Sequence, residues 1–232
     1  MVSVHDESQA EAADTAPAPV LGRLEELRRK AGSDPDGVRD EAFRWVLELG
    51  KSIASDRRRS LGDLKSLFAA GTVPQGLDGQ TEGRLVGWAT IPAVDRIMAG
   101  ATGIWLPWLG KYFDSANASG YNLMSGPVRY AGRIVWPAYR MLRPYQGRTR
   151  GFEFTTAAAR GKLGDGSEVL AIEYDTVPSN PRFVIRSVLD ELVELVPGAY
   201  LGQMLWRSGS AERARYTMLC YFALRQPQGA PS

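Results

Sequence analysis

Histidine is almost absent from this chain of 232 residues: the only one is His5, near the N-terminus. A Ser-His-Asp or Cys-His mechanism needs an imidazole beside its nucleophile, so both are excluded for the folded part of the chain. Histidine-ligated haem and the usual zinc sites are excluded for the same reason. An enzyme built on this sequence would take its acids and bases from Asp, Glu, Tyr, Lys or Arg, and we predict no metal and no cofactor.

The chain also has a single cysteine, a small net charge and no long apolar run. The single cysteine, Cys220, allows no intrachain disulfide, which fits a reducing compartment. The net charge of +2 lacks the one-sided basic excess that is typical of nucleic-acid-binding proteins. The longest apolar stretch, residues 97–109, is too short to span a bilayer, and residues 1–19 have no apolar core of a signal peptide. We therefore expect a cytoplasmic protein that binds no nucleic acid, and leave peripheral membrane contact and oligomeric state open.

The chain divides by composition into four segments. We predict a disordered tail over 1–19, a helical segment over 20–71 that packs on the outside of a β-barrel, the barrel itself over 72–225, and a second disordered tail over 226–232. In the helical segment one apolar stripe recurs at the 3.6-residue period, through Val38, Ala42, Trp45, Val46, Leu49 and Ile53. A shorter helix is predicted from Ser60, as its N-cap, to Gly71.

The C-terminal third, residues 150–225, alternates polar and apolar residues between Gly/Pro turns, which indicates an antiparallel meander closing around an interior. Strands are predicted over 81–90, 188–196, 199–207 and 215–225. The last strand is predicted to carry one continuous apolar face, through Tyr216, Met218, Cys220, Phe222 and Leu224. A helix that is apolar on most sides is predicted over 93–105. The predicted fold class is mainly β: an antiparallel barrel with N-terminal helices and an inserted apolar helix.

The strand predicted over 188–196 carries carboxylates on both faces. Asp190 and Glu194 share the even-numbered face, and Glu191 lies on the other. Whichever face is inward, one carboxylate lies in or near the interior, where it must be paired or have a raised pKa. Arg186 is the predicted partner of Asp190. The pair would either close the barrel as a structural ion pair or supply a polar anchor or general acid.

Residues 108–114 place a lysine among aromatic residues. A desolvated Lys111 would have a lowered pKa and could form a Schiff base; alternatively, it pairs with Asp114 or is solvated. Aromatic residues at strand spacing either line a pocket or belong to the core. The predicted catalytic residues are Asp190, Lys111 and Tyr174. The predicted ligand-binding residues are Trp108, Asp114, Arg186, Tyr200, Trp206 and Tyr221.

The run Trp-Leu-Gly-Lys-Tyr-Phe-Asp-Ser at 108–115 resembles the W-x-G-K-x-F-D stretch of the bacterial GXWXG proteins, which are calycin-like and of largely unassigned function. The later order is similar too: Ile-Glu-Tyr-Asp-Thr-Val-Pro at 172–178, then Arg186 and Asp190, Tyr-Leu-Gly at 200–202 and Tyr-Phe-Ala-Leu at 221–224. The resemblance covers roughly residues 60–225. It implies a calycin- or lipocalin-like barrel and supplies no catalytic residues. The naming motif has a central tryptophan, where residues 83–87 of this chain have Leu85.

Three functions fit these observations. The first is binding of a small hydrophobic molecule, of lipid, polyketide or terpenoid type, inside the barrel, with affinity from apolar area and selectivity from a few polar anchors. The second is a cofactor-independent cyclase, isomerase or lyase that acts on a hydrophobic biosynthetic intermediate in the same cavity. The third is a module that docks on a partner or a membrane through helices 37–70 and 93–106.

Overall fold

The computed structural model describes residues 19–89, 108–126, 136–164, 166–182, 184–210 and 213–227, together with residues 128, 130 and 134. Three helices come first: α1 (Pro19–Ala31), α2 (Pro35–Ser52) and α3 (Arg57–Ala69). The strands are β1 (Gly79–Gln80), β2 (Glu82–Trp88), β3 (Trp108–Asp114), β4 (Ser119–Ser125), β5 (Arg143–Tyr145), β6 (Arg148–Arg160), β7 (Glu168–Glu173), β8 (Val188–Val196), β9 (Ala199–Ser208) and β10 (Arg215–Arg225). The predicted helix over 93–105 and most of the two predicted tails lie outside the described residues.

Helix α2 follows the predicted apolar stripe. Asp34 caps it, because its side chain accepts a hydrogen bond from the Gly37 backbone N–H at 2.9 Å, and Pro35 at the first helical position needs no partner for its nitrogen. The stripe residues Val38, Ala42, Trp45 and Val46 are all buried. No helix among the described residues has both the length and the apolarity needed to cross a membrane.

Helix α3 begins earlier than the sequence pattern predicted. Its N-cap is Asp56, whose carboxylate accepts a hydrogen bond from the Arg59 backbone N–H at 3.2 Å. The predicted cap, Ser60, is a buried residue inside the helix, so that prediction was wrong. Both side chains are good caps, and the earlier one wins because residues 57–59 can extend the helix by another turn.

The strands form one antiparallel sheet in the order β1-β3-β4-β6-β7-β8-β9-β10-β2, with β5 paired to β6. Both ends of this order belong to one short segment, residues 79–88, because β1 pairs with β3 and β2 pairs with β10. Between them, the backbone N–H and the hydroxyl of Thr81 both donate to the carbonyl oxygen of Lys111, each at 2.8 Å. This closing segment makes the sheet a nearly closed barrel, which agrees with the predicted calycin-like fold class.

The barrel separates two apolar clusters. The inner core lies inside it and includes Phe113, Met124, Phe152, Phe154, Ile172, Leu192, Met204, Phe222 and Leu224. The outer core lies between the three helices and the outer face of the sheet and includes Leu24, Phe43, Leu64, Phe68, Val193, Leu201 and Tyr221. The helices pack chiefly on β2, β8, β9 and β10, so the opposite side of the barrel carries no helix from this segment.

A β-bulge changes the facing of the last strand. The register between β10 and β9 shifts between Met218 and Cys220, and as a result Leu219 and Cys220 both belong to the inner core. Met218 and Tyr216 pack on the outer side of the sheet. Cys220, Phe222 and Leu224 share the inner face as predicted, and the predicted continuous apolar face was wrong for Tyr216 and Met218, because the bulge inserts one residue and reverses the alternation before Cys220. The bounds of β8 and β10 are the predicted ones.

Candidate functional site

Four polar side chains from separate strands meet in the barrel interior. Lys111 projects from β3, Asn122 from β4 and Asp190 from β8, and Tyr174 directly follows β7. The Lys111 Nζ atom lies 2.7 Å from Asp190 Oδ2, 2.6 Å from Tyr174 Oη and 3.0 Å from Asn122 Oδ1. Each of the four residues is at most 2% exposed. These four residues and Trp108 form the internal network.

Almost every hydrogen-bonding atom of the internal network has a partner. Tyr174 Oη donates to Asp190 Oδ2 at 2.8 Å and accepts from Asn122 Nδ2 at 3.1 Å. Asn122 Nδ2 also donates to the Phe152 carbonyl oxygen at 3.2 Å, and its Oδ1 accepts from Trp108 Nε1 at 3.0 Å. The three N–H groups of a charged Lys111 match its three acceptors. The exception is Asp190 Oδ1, which is buried and has no partner among the described residues.

Aromatic rings surround the lysine. Its Nζ atom lies 5.3 to 5.6 Å from four ring centroids, those of Trp108, Phe154, Tyr174 and Phe222. At such distances the negative face of a ring attracts a cation. The rings therefore replace part of the hydration that the ammonium group loses in the barrel.

Burial controls the protonation of the internal network. Desolvation lowers the pKa of Lys111, and the charge and hydrogen bond of Asp190 offset part of that effect. Desolvation raises the pKa of Tyr174 well above its usual range, and the nearby charge of Asp190 adds to the shift. Tyr174 thus keeps its proton and donates a hydrogen bond to the Asp190 carboxylate. Lys111 gives up its proton more readily than an exposed lysine.

The three predicted catalytic residues, Asp190, Lys111 and Tyr174, lie within hydrogen-bonding distance of one another. Their catalytic role stays a prediction, since proximity alone does not demonstrate chemistry. The buried thiol of Cys220 has a raised pKa because of desolvation and the charge of Asp190. It is therefore a poor nucleophile.

Both ion pairs predicted for this region were wrong. Arg186 lies in a short 3₁₀ helix ahead of β8 and donates to the Asp175 carbonyl oxygen at 3.3 Å, so it does not share the strand face of Asp190. Asp114 accepts from the Asn117 backbone N–H at 3.1 Å. Residues three apart along a strand point to opposite faces, which separates Asp114 from the inward-facing Lys111.

The remaining predicted binding residues lie in different places. Trp108 belongs to the internal network, and Tyr200 lies in the inner core. Trp206 packs against the inner core from a partly exposed position. Tyr221 was a wrong prediction for an interior ligand, because it lies in the outer core beneath the helices. It follows Cys220 after the bulge of β10, and so faces away from the interior.

Asn122 and Gly110 were not among the residues predicted from the sequence. Asn122 lies in an apolar stretch, Leu123 and Met124 following it, and an amide at an inward strand position is a signal for a buried polar partner. Gly110 has a φ of +136°, and a Cβ there would lie 2.2 Å from the Thr81 carbonyl oxygen. Glycine thus lets the closing segment approach β3 beside Lys111.

No known protein family matches this chain, and no curated protein or solved structure is significantly similar to it. The described residues also contain no group of three or more His, Cys, Asp or Glu side chains that could hold a metal ion.

Proposed function

We propose that the barrel interior binds one small apolar molecule that carries a hydrogen-bond donor, and that this donor contacts Asp190 Oδ1. The observation that carries the proposal is the unpartnered Asp190 Oδ1 in a network whose other polar atoms are satisfied. A buried acceptor without a partner loses its hydration without compensation, at a cost of about 1–3 kcal/mol. A hydroxyl or amide N–H on the ligand would remove this cost.

A second unpartnered atom further limits the chemistry of the ligands that would fit. Trp136 Nε1 is buried and has no partner among the described residues. Its ring contacts Phe152 edge-on at a centroid distance of 5.2 Å, and the Phe152 carbonyl accepts from Asn122. Among the described residues, Asp190 Oδ1 is thus an unpartnered acceptor and Trp136 Nε1 an unpartnered donor that a ligand could use. A lipid, polyketide or terpenoid with a hydroxyl and a carbonyl on an apolar frame matches both.

The apolar residues of the inner core supply the remaining affinity. Burial of apolar ligand surface against them contributes about 25 cal/mol per Å². The apolar stripe of α2 and the buried face of α3 are used in the outer core, which favours the interior over docking through these two helices. A cytoplasmic location, expected from the single cysteine, is part of the same proposal.

Kinship with the GXWXG proteins also belongs to the proposal. Residues of the 108–115 stretch have separate structural tasks: Trp108 and Lys111 belong to the internal network, Phe113 to the inner core, and Asp114 caps a 3₁₀ helix. Gly110 allows the closing segment to approach. A motif built this way fits a barrel that preserves an internal binding site.

A matched pair of ligands tests the binding proposal. Geraniol and its methyl ether share one apolar frame, and only the alcohol carries a donor. We expect geraniol to bind at least about tenfold more tightly, since a hydrogen bond to a charged group contributes roughly 1.5–3 kcal/mol. The ε-methyl groups of Met124 and Met204, both in the inner core, report binding by NMR in [¹³C-methyl]methionine-labelled protein. Equal affinities, or ligands that leave both methyl signals unchanged, would overturn the proposal.

A second proposal is catalysis at the same network, by a cofactor-independent cyclase, isomerase or lyase. Tyr174 Oη lies within 2.8 Å of both Lys111 Nζ and Asp190 Oδ2, so a proton can move between base and acid without water. Geranylacetone, an apolar ketone, is the probe. We expect its α-hydrogens to exchange in D₂O faster with protein than in buffer, and the excess to vanish in Lys111→Met. Exchange at the buffer rate with wild-type protein would leave binding as the function.

A further inference from the structure

A second cavity lies on the opposite side of the sheet from the internal network. It has a volume of about 230 Å³ and lies between α3 and the outer face of β9 and β10. Leu61 and Phe68 of α3 form one wall, and Met218 and Tyr221 of β10 form the other. The bulge of β10 separates this face from the inner core, because Met218 and Tyr221 turn outward where Cys220 turns inward.

Two polar residues line the otherwise apolar cavity. Gln203 of β9 is 2% exposed, and its Nε2 donates to Glu191 Oε2 at 2.6 Å. This hydrogen bond fixes the amide orientation at the sheet side. Lys65 lies on α3 at the exposed side, and it makes no ion pair with a described residue. A positive charge at the mouth and apolar walls behind it form an amphipathic site.

The volume of this cavity and the residues that line it indicate which ligand would fit. A cavity of about 150 Å³ lined by apolar side chains is large enough for benzene, so this one holds one ring and a short side chain. Phe68 and Tyr221 offer ring contacts, and the Met218 sulfur adds a favourable contact with an aromatic edge. The Lys65 ammonium, which has no ion pair with a described residue, is complementary to an anion at the end of the side chain. We infer that this outer cavity binds a monocyclic aromatic carboxylate, independently of the barrel interior.

Methionine methyl groups distinguish the two sites in one experiment. Met218 lines the outer cavity, whereas Met124 and Met204 lie in the inner core. In [¹³C-methyl]methionine-labelled full-length protein, with the Met218 signal assigned through Met218→Leu, we expect 3-phenylpropanoate to shift the Met218 signal saturably and leave the other two in place. The amine analogue, 3-phenylpropylamine, should bind at least fivefold more weakly because Lys65 repels it.

Three variants complete the test. Lys65→Gln should weaken 3-phenylpropanoate binding about fivefold, which corresponds to an exposed charge interaction of about 1 kcal/mol. Lys51→Gln, at an exposed lysine of α2 that pairs with Glu48, should leave it unchanged. Leu61→Trp should fill the cavity and abolish the Met218 shift, with far-UV circular dichroism confirming the fold. An unmoved Met218 signal in wild type, equal affinity for acid and amine, or full affinity in Lys65→Gln would overturn the inference.

Discussion

Burial of the Lys111–Asp190 ion pair carries a large desolvation free energy. Taking both charges out of water costs several kcal/mol for each, and their attraction repays that only with good geometry and further hydrogen bonds. Here, Tyr174 and Asn122 supply those hydrogen bonds, and four rings surround the ammonium group. An apolar pair would fill the same place at lower cost. The stability that the pair adds therefore does not explain its presence, which favours the proposed binding role.

Removal of one charge should be worse than removal of both. We expect Lys111→Met to lower the free energy of unfolding by about 3–5 kcal/mol, because Asp190 is left buried and uncompensated. The double variant Lys111→Met/Asp190→Leu should recover part of that loss. Urea unfolding of the single and double variants measures the difference. A double variant less stable than Lys111→Met would show that the ion pair itself stabilises the fold.

Glu194 gives a prediction for pH dependence. It lies in β8, and burial raises its pKa above the ordinary 4.5, although a hydrogen bond from the Gly198 N–H works in the other direction. The unfolded chain releases this proton at lower pH than the folded chain. The stabilising contribution is therefore complete below about pH 4.5 and is lost as pH rises through the folded-state pKa.

Substitution by glutamine removes this titration and keeps an acceptor for Gly198. We expect the melting temperature of Glu194→Gln, relative to wild type, to rise between pH 4 and pH 7. Glu168→Gln, at an exposed position of β7, is the control and should show a smaller change over the same interval. The prediction fails if Glu194→Gln loses stability relative to wild type over this range.

At the scale of the strands, three register shifts lie in strands that bound the internal network, and another lies between Glu194 and Val196 at the far end of β8. Register shifts occur between Trp108 and Gly110, between Tyr121 and Asn122, and between Met218 and Cys220. A bulge bends a strand and re-aims the next side chain. Phe152, with its positive φ of 52°, lies opposite the second of these shifts. The sheet gives up regular pairing where Trp108, Asn122 and Asp190 must converge.

A substitution at Gly110 tests whether the irregular position in β3 is required for the close approach of the closing segment. In Gly110→Ala the new methyl group would lie 2.2 Å from the Thr81 carbonyl oxygen, at a φ that L-residues rarely adopt. We expect a loss of about 2–3 kcal/mol in unfolding free energy. Gly62→Ala, in α3 with no atom within 4 Å of the new methyl group, should instead gain about 0.5–1 kcal/mol. Denaturant titration compares the two. Equal stability of Gly110→Ala and wild type would contradict the tight approach.

Some of this architecture follows from the sequence, and some depends on contacts that a sequence does not display. The bounds of β8 and β10 were predictable because alternation is a local property. The Lys111–Asp190 contact joins positions 79 apart, and it depends on the register of several strands. The bulge that puts Tyr216 and Met218 on the outer face leaves no local signal. Nearness in sequence predicts Arg186 as the partner of Asp190, whereas the sheet order brings Lys111 nearer in space.

At the scale of the whole molecule, the helices and the barrel share one apolar layer. Arg28 of α1 links them further, because its Nε donates to the Leu195 carbonyl oxygen at 3.0 Å and its Nη2 to the Ala70 carbonyl oxygen at 2.7 Å. Without the helices, the outer face of β8 to β10 would expose Val193, Leu201 and Tyr221 to water. Such a contiguous apolar patch promotes association.

Truncation should therefore change the association state. We expect a fragment that starts at residue 72 to elute from size-exclusion chromatography as aggregates at a concentration where the full chain elutes as one defined species. Addition of a mild detergent should reduce the aggregation, since the exposed surface is apolar. A fragment that stays monodisperse and resists thermal unfolding as well as the full chain would contradict a shared outer core.

The closing segment also sets an order of events during synthesis. Residues 79–88 complete the barrel only by pairing with β10, whose final residue is Arg225. Until β10 has left the ribosome, the barrel has an open seam beside β2. We therefore expect Lys111 to lose its hydration only when this seam closes. A ligand already present in that interval could enter from the side, and the finished barrel would close around it.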